Sequence, residues 1–362
     1  GEGADLMGFD GFWLPEFIDA GLLTPLSELV PSYTEWEGWA QIPAGIQDIM
    51  SYQGQIYGVP RGTDARVIWV NKEILAQAGL AEDWQPTSWA ELLDGARAIR
   101  DNVPDVVPFQ LNAGVAMGEA TTLQGYLMAL LGTGTYIYDY ENAKWPVRSQ
   151  GILDTLALYD TIYNEEGLGN ARWQLAQNGR NLSFEAFANG TVGMLIEGDY
   201  LWRSILNATG DFPMENRDAR VGYVLMPAQA AGAGWRGQDF VTASGGTGFV
   251  INGSTEHPEE AWALLSYMYS VDTLSALQAL QPRIRARLDV PVTGDDVMTS
   301  LVTDVLPYTQ IRPQVADYNA VSEQARLMTE RVVSGEMTPA EAMEANADVL
   351  IGRESYPEID MA

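Results

Sequence analysis

The chain has 362 residues, 46% hydrophobic and 19% charged, a composition that folds instead of staying disordered. Its 49 acids against 20 bases leave a formal charge of −29, which repels nucleic acid and anionic lipid, and no basic run offsets it. Cysteine is absent, which removes thiol catalysis, disulfides and cysteine-ligated zinc.

The length exceeds one ordinary core and points to two α/β lobes. The longest apolar runs are broken by Gly, Pro or charge, so no span crosses a bilayer. Gly1 to Asp5 carries neither a basic nor an apolar leader region, so any signal peptide is expected to lie outside the chain. Ala4 to Phe9 reads as a strand and Phe12 to Ala20 as a helix ended by Gly21. Tyr52 to Tyr57 has the pattern of a hairpin turn between two short strands, and Arg66 to Val70 that of a strand. Ser88 caps a helix running through Arg100, with Glu91 placed for a capping box. Further helices fit Thr121 to Leu131, Gly151 to Tyr163, Ser183 to Ala188, His257 to Tyr269 and Tyr318 to Ser334. Strands fit Val192 to Ile196, Gly222 to Leu225 and Gly248 to Asn252.

Little in this order supports catalysis. The one histidine, His257, sits at a helix start. The chain has no HExxH, GxSxG, P-loop or GxGxxG motif. Gly245-Gly246-Thr247-Gly248 lacks a lysine and leads into a strand, a poor phosphate cradle. Glu197 and Asp199 follow an apolar strand and suit either a glycosidase pair or a binding loop, and the sequence leaves their separation open. More telling is the mixture at loop tips. Arg61-Gly62-Thr63-Asp64-Ala65-Arg66 and Glu197-Gly198-Asp199-Tyr200-Leu201-Trp202 join charge to flat rings, and Trp13, Trp145 and Trp235 lie among Gly, Pro and charge. A pyranose stacks its C–H face on such rings, and its hydroxyls pair with carboxylates and guanidinium groups. Trp89 and Trp262 have the spacing of helix core instead.

Several segments in order resemble the family 1 extracellular solute-binding proteins, the maltose- and trehalose-type receptors of ABC importers. They are Ala4 to Phe17 with Ala20-Gly21-Leu22-Leu23-Thr24-Pro25-Leu26, and Tyr57-Gly58-Val59-Pro60-Arg61-Gly62-Thr63-Asp64 with Asn71-Lys72-Glu73. Pro86-Thr87-Ser88-Trp89, then Phe184 to Gly190 leading into Val192-Gly193-Met194, and Ser244-Gly245-Gly246 with Ala261-Trp262 complete the set. The resemblance covers essentially the whole chain.

It implies a two-lobed, hinge-connected α/β fold of the type II periplasmic-binding-protein kind, with a sugar held in the cleft and delivered to the transmembrane subunits of an ABC importer. One lobe would take residues 1–112 and 249–308, the other 113–248 and 309–362, with crossings near Asn112, Gly248 and Pro307. Implied ligand contacts are Asp10, Trp13, Arg61, Asp64, Arg66, Glu119, Glu197, Asp199, Trp202, Gly245, Gly246, Arg287, Arg312 and Tyr318. No catalytic residue, metal or cofactor is implied. The expected state is a monomer, periplasmic or extracellular, with a lipid anchor as one option. A receptor for a glycerol phosphodiester or an acidic sugar, or a glycoside-active enzyme, stays open beside it. The sequence departs from the pattern in three places. The strand–helix unit that opens family members is missing, Thr247 stands where many relatives carry an aromatic, and Arg285 replaces a proline.

Overall fold

A computed structural model describes residues 3–351. The chain divides into two compact units, each assembled from separate stretches. The first takes the chain up to Ala65, Ser244–Pro307 and Ile311–Asn319, and the second takes Arg66–Ala243, Tyr308–Gln310 and the chain from Ala320.

In the first unit, Gly246–Ile251 is the middle strand of a three-stranded antiparallel sheet, flanked by Leu6–Asp10 and Gly58–Thr63. The register sets Asp10 opposite Thr247 and Thr247 opposite Gly62, with an irregularity between Thr247 and Gly248. Such a bulge bends a strand and re-aims its side chains. One core cluster holds Leu26, Val30, Val59, Ile251, Trp262 and Leu265, with the ring pair Trp36 and Trp39 packed against it. A second gathers Phe9, Leu14, Ile49, Met50 and Tyr57.

The second unit is built on a mixed four-stranded sheet in the order Val107–Gln110, Val192–Gly198, Arg66–Asn71, Val221–Val224. Its two central strands are buried along their whole length, as their near-continuous Val, Ile and Met content requires. The helix Trp89–Asn102 packs on it, capped by the Ser88 hydroxyl, which accepts from the Glu91 amide at 3.3 Å. The Glu91 carboxylate reaches one residue further back than a capping box would, to the amide and hydroxyl of Thr87 at 2.8 and 2.9 Å.

The expected division near Asn112 falls instead between Ala65 and Arg66. Arg66–Asn71 is wedged between Val192–Gly198 and Val221–Val224, so residues 66–112 belong with the second unit. Helices Val271–Leu280 and Pro339–Ile351 and the strand Phe240–Ser244 were not expected. Two of the expected helices contain or end in π-helical turns, at Thr121–Tyr126 and Thr161–Glu165, and Leu201–Ile205 forms another after Tyr200.

Candidate ligand-binding site

The first unit concentrates polar groups where Leu6–Asp10 ends and Gly246–Ile251 begins. The Asp10 carboxylate accepts from Arg312 at 2.8 Å, and the guanidinium of Arg312 lies 4.1 Å from the centre of the Phe12 ring. Phe12 in turn touches Trp13 and buried Tyr318, each with 5.4 Å between ring centres. Trp13 is 37% exposed, the one ring of this group left open to solvent.

The glycine pair beside them is held by its neighbours. The Asp64 carboxylate accepts the Gly245 amide at 2.6 Å, Ser244 donates its hydroxyl to the Asp64 carbonyl, and Thr63 donates to the Gly245 carbonyl. A Cβ on Gly246 would lie 2.6 Å from the Ile49 side chain, so the strand can approach there only without a side chain. Gln314 donates to the carbonyls of Gly11 and Ile49 at 3.3 and 2.7 Å and closes a narrow pocket with Phe12, Gly246 and Arg312. Arg61 is half-buried, and its carbonyl accepts the Ala286 amide.

Arg287 does not join this group. Its guanidinium makes a two-pronged pair with Asp289 at 2.9 and 2.7 Å, donates to the Tyr269 carbonyl at 3.2 Å and lies over Trp36. The hydrogen bond from Arg287 holds the Asp289 carboxyl below its ordinary range.

In the second unit the strands Arg66–Asn71 and Val192–Gly198 bring Arg66 opposite Gly198. A buried hydrogen-bond chain starts there. Arg66 Nε donates to Gln124 at 3.3 Å, Gln124 donates to the Tyr200 hydroxyl at 3.1 Å, and Tyr200 donates to Glu197. Glu197 is fully buried and also accepts from Asn112 at 3.0 Å, from its neighbour's amide (Gly198) at 3.0 Å, and from Arg180 through both oxygens at 2.8 and 3.0 Å. Saturated hydrogen bonding of this kind is what makes a buried carboxylate tolerable.

Arg180 is the exposed end of the chain. Its side chain is 31% exposed, its guanidinium sits 5.0 Å from the Tyr200 ring centre and 5.4 Å from that of Phe184, and its Nη1 makes no hydrogen bond among the described residues. π-helical turns carry Gln124 and immediately follow Tyr200. Such turns are rare and recur at functional sites.

The remaining candidates of this unit are engaged locally. Asp199 pairs with Arg203 at 3.1 Å, and Glu119 accepts the Ser322 hydroxyl at 2.6 Å. Trp202 is 2% exposed, parallel to Trp69 on one side at 6.1 Å and covered by Arg217 at 3.6 Å, so both of its stacking faces are taken.

Sequence reasoning passed over Gln124, Arg180 and Gln314, and it noted Tyr200 as a ring of the 197–202 segment without including it among the implied contacts. One signal was legible for Arg180: it is a cation in the first turn of the helix Gly179–Ala188, where the helix dipole disfavours positive charge. Among the described residues, no group of three His, Cys, Asp or Glu is placed to hold a metal, and no helix is long and apolar enough to cross a membrane.

Two α/β units, each with a carboxylate–arginine pair and an aromatic ring at one end of its sheet, have the architecture of a solute receptor. The bacterial extracellular solute-binding protein family matches residues 1–273, and the chain belongs to that family. A binding protein of Brucella abortus is 23% identical over 97% of the chain and 80% of its own length. Among solved structures, an ABC transporter solute-binding protein of Thermotoga lettingae bound with α-D-tagatose superposes with a TM-score of 0.81 at 27% identity, covering 96% of this chain and 84% of that one. The GacH receptor of Streptomyces glaucescens, solved in unliganded form and with acarbose, gives 0.79 at 21% identity, covering 99% and 85%. These relatives are binding proteins.

Proposed function

We propose that the chain captures a saccharide outside the cell membrane and hands it to the membrane subunits of an ABC importer, without transforming it. One observation supports this most directly. Each unit, taken separately, sets an aromatic ring beside a carboxylate–arginine pair whose geometry is already fixed: Phe12, which adjoins Trp13, with Asp10 and Arg312, and Tyr200 with Glu197 and Arg180. Rings meet the C–H face of a sugar, and locked charged groups meet its hydroxyls without first losing side-chain entropy. The binding proteins for tagatose and acarbose that share the fold favour the same ligand class. Asp10, Trp13, Arg61, Asp64, Gly245, Gly246, Arg312 and Tyr318 would act from one unit, and Arg66, Tyr200 and Arg180 from the other. Glu197 and Asp199 would position these groups.

A carboxylate saturated by five donors also suits binding better than proton transfer, which needs a group free to exchange its proton. A thermal-shift screen over mono- and oligosaccharides tests the proposal, followed by chromatography of the mixture. A ligand held at one hundred times its Kd stabilises by about 2.7 kcal/mol. At least one saccharide should raise the melting temperature with dose and be recovered intact. No shift across the panel refutes capture, and recovered cleavage products refute the non-enzymatic reading.

A further inference from the structure

In the second unit a surface pocket of about 860 Å3 opens beside the loop closed by the backbone pair Asp139 and Lys144. Its wall is aromatic. Tyr136 lies near-parallel to Tyr140 with 6.2 Å between ring centres, and is tilted against Trp235 at 5.3 Å. Tyr140 is 57% exposed, leaving a large ring in water. The indole N–H of Trp235 is shut off from solvent and has no acceptor among the described residues. That N–H does not open on the pocket, so what the pocket offers a guest is the exposed ring of Tyr140 and the cations of its rim.

Its rim supplies two cations. Lys144, one of two lysines in the chain, and Arg236 have no carboxylate within salt-bridge distance among the described residues, although the chain carries 49 acids. Asp139 and Glu141 also line the pocket; Asp139 accepts the amides of Glu141 and Asn142 at 2.9 and 3.1 Å and the Asn142 side chain at 2.7 Å, and Lys144 acts on it only at longer range. The pocket is also separate from the hydrogen-bond chain of the same unit. Gln124 belongs to that chain and Gly132 ends the same helical stretch just before the pocket, roughly 12 Å further along at about 1.5 Å per residue.

We propose that this pocket is a second binding site, for a saccharide unit that carries a carboxylate, such as a uronic acid. A pyranose face stacks on Tyr140, and the carboxylate takes Lys144 and Arg236. A neutral sugar leaves both cations unused, and a bare inorganic anion leaves the rings uncovered.

Calorimetric titration with digalacturonate and with its neutral counterpart galactobiose tests the site. The full chain is compared with Tyr140→Ala, with Lys144→Gln/Arg236→Gln and with Arg180→Gln, and melting curves verify that each variant is folded. Digalacturonate should bind, weaken at least tenfold in the Tyr140 variant and in the double variant, weaken as salt rises, and keep its affinity in Arg180→Gln. Absence of digalacturonate binding overturns the proposal. So do a galactobiose affinity equally sensitive to Tyr140→Ala, and a digalacturonate affinity lost only in Arg180→Gln. That last result would locate the acid at the Tyr200–Arg180 group and leave the reading of that group standing.

Discussion

Glu197 and Arg180 show how one pair serves two ends. The carboxylate is fully buried, so removing its cation strands a charge, whereas neutralising both partners removes the demand. Arg180→Ala should therefore destabilise by about 3 kcal/mol in urea unfolding, and Arg180→Ala/Glu197→Gln should recover at least about 1 kcal/mol of it. A double variant no more stable than the single one would show that the pair carries no such coupling. Trp202 makes a contrasting case. It looked in the sequence like a loop-tip ring for stacking, yet Trp69 and Arg217 cover it. Trp202→Ala should cost about 3 to 5 kcal/mol of stability, because it empties a filled core position. Residue type and sequence context pointed to Trp13, Arg66 and Glu197 as candidates, and the family resemblance added Asp10. They did not reveal which rings are covered, since coverage depends on partners far away in sequence, as Arg217 is for Trp202.

Among the elements, local signals fared well. The Ser88 cap, the Gln53-Gly54 turn with its positive φ angles of 49° and 76°, and the left-handed Gly21 at 69° all follow from the chemistry of a few adjacent residues. The division of the chain did not. The strand Arg66–Asn71 was legible, but its pairing with Val192–Gly198 joins segments more than a hundred residues apart, and composition carries no trace of it. Gly62 is a point where the element depends on one residue. It has φ of 153°, and a Cβ there would lie 2.1 Å from the Ile284 carbonyl oxygen, a backbone atom that cannot swing away. Gly62→Ala should lower stability by about 2 kcal/mol or more in urea unfolding, through strain and the broken contact with the 284–285 segment. Wild-type stability in that variant would show that the strand relaxes freely.

For the whole molecule, charge sets the response to pH. The hydrogen bond from Arg287 lowers the folded-state pKa of Asp289, and that from Arg97 does the same for Glu166. A carboxyl more acidic in the folded state contributes stability that is complete above its unfolded value, about 4, and is lost as pH falls through the lowered one. Asp289→Asn should therefore melt below the wild type at pH 7, with the gap closing as pH drops under about 4. A gap that persists at about pH 2 would refer the effect to packing instead of charge.

Saccharide capture is proposed to use Asp10 in one unit and Arg180 in the other. Isothermal titration of the best saccharide from the thermal screen, against wild type, Asp10→Asn and Arg180→Gln, tests it most directly. Loss of a hydrogen bond to a charged group costs about 1.5 to 3 kcal/mol, so each variant should bind about 10- to 150-fold more weakly while remaining folded. Unchanged affinity in either variant would contradict the claim for that unit, and unchanged affinity in both would end it.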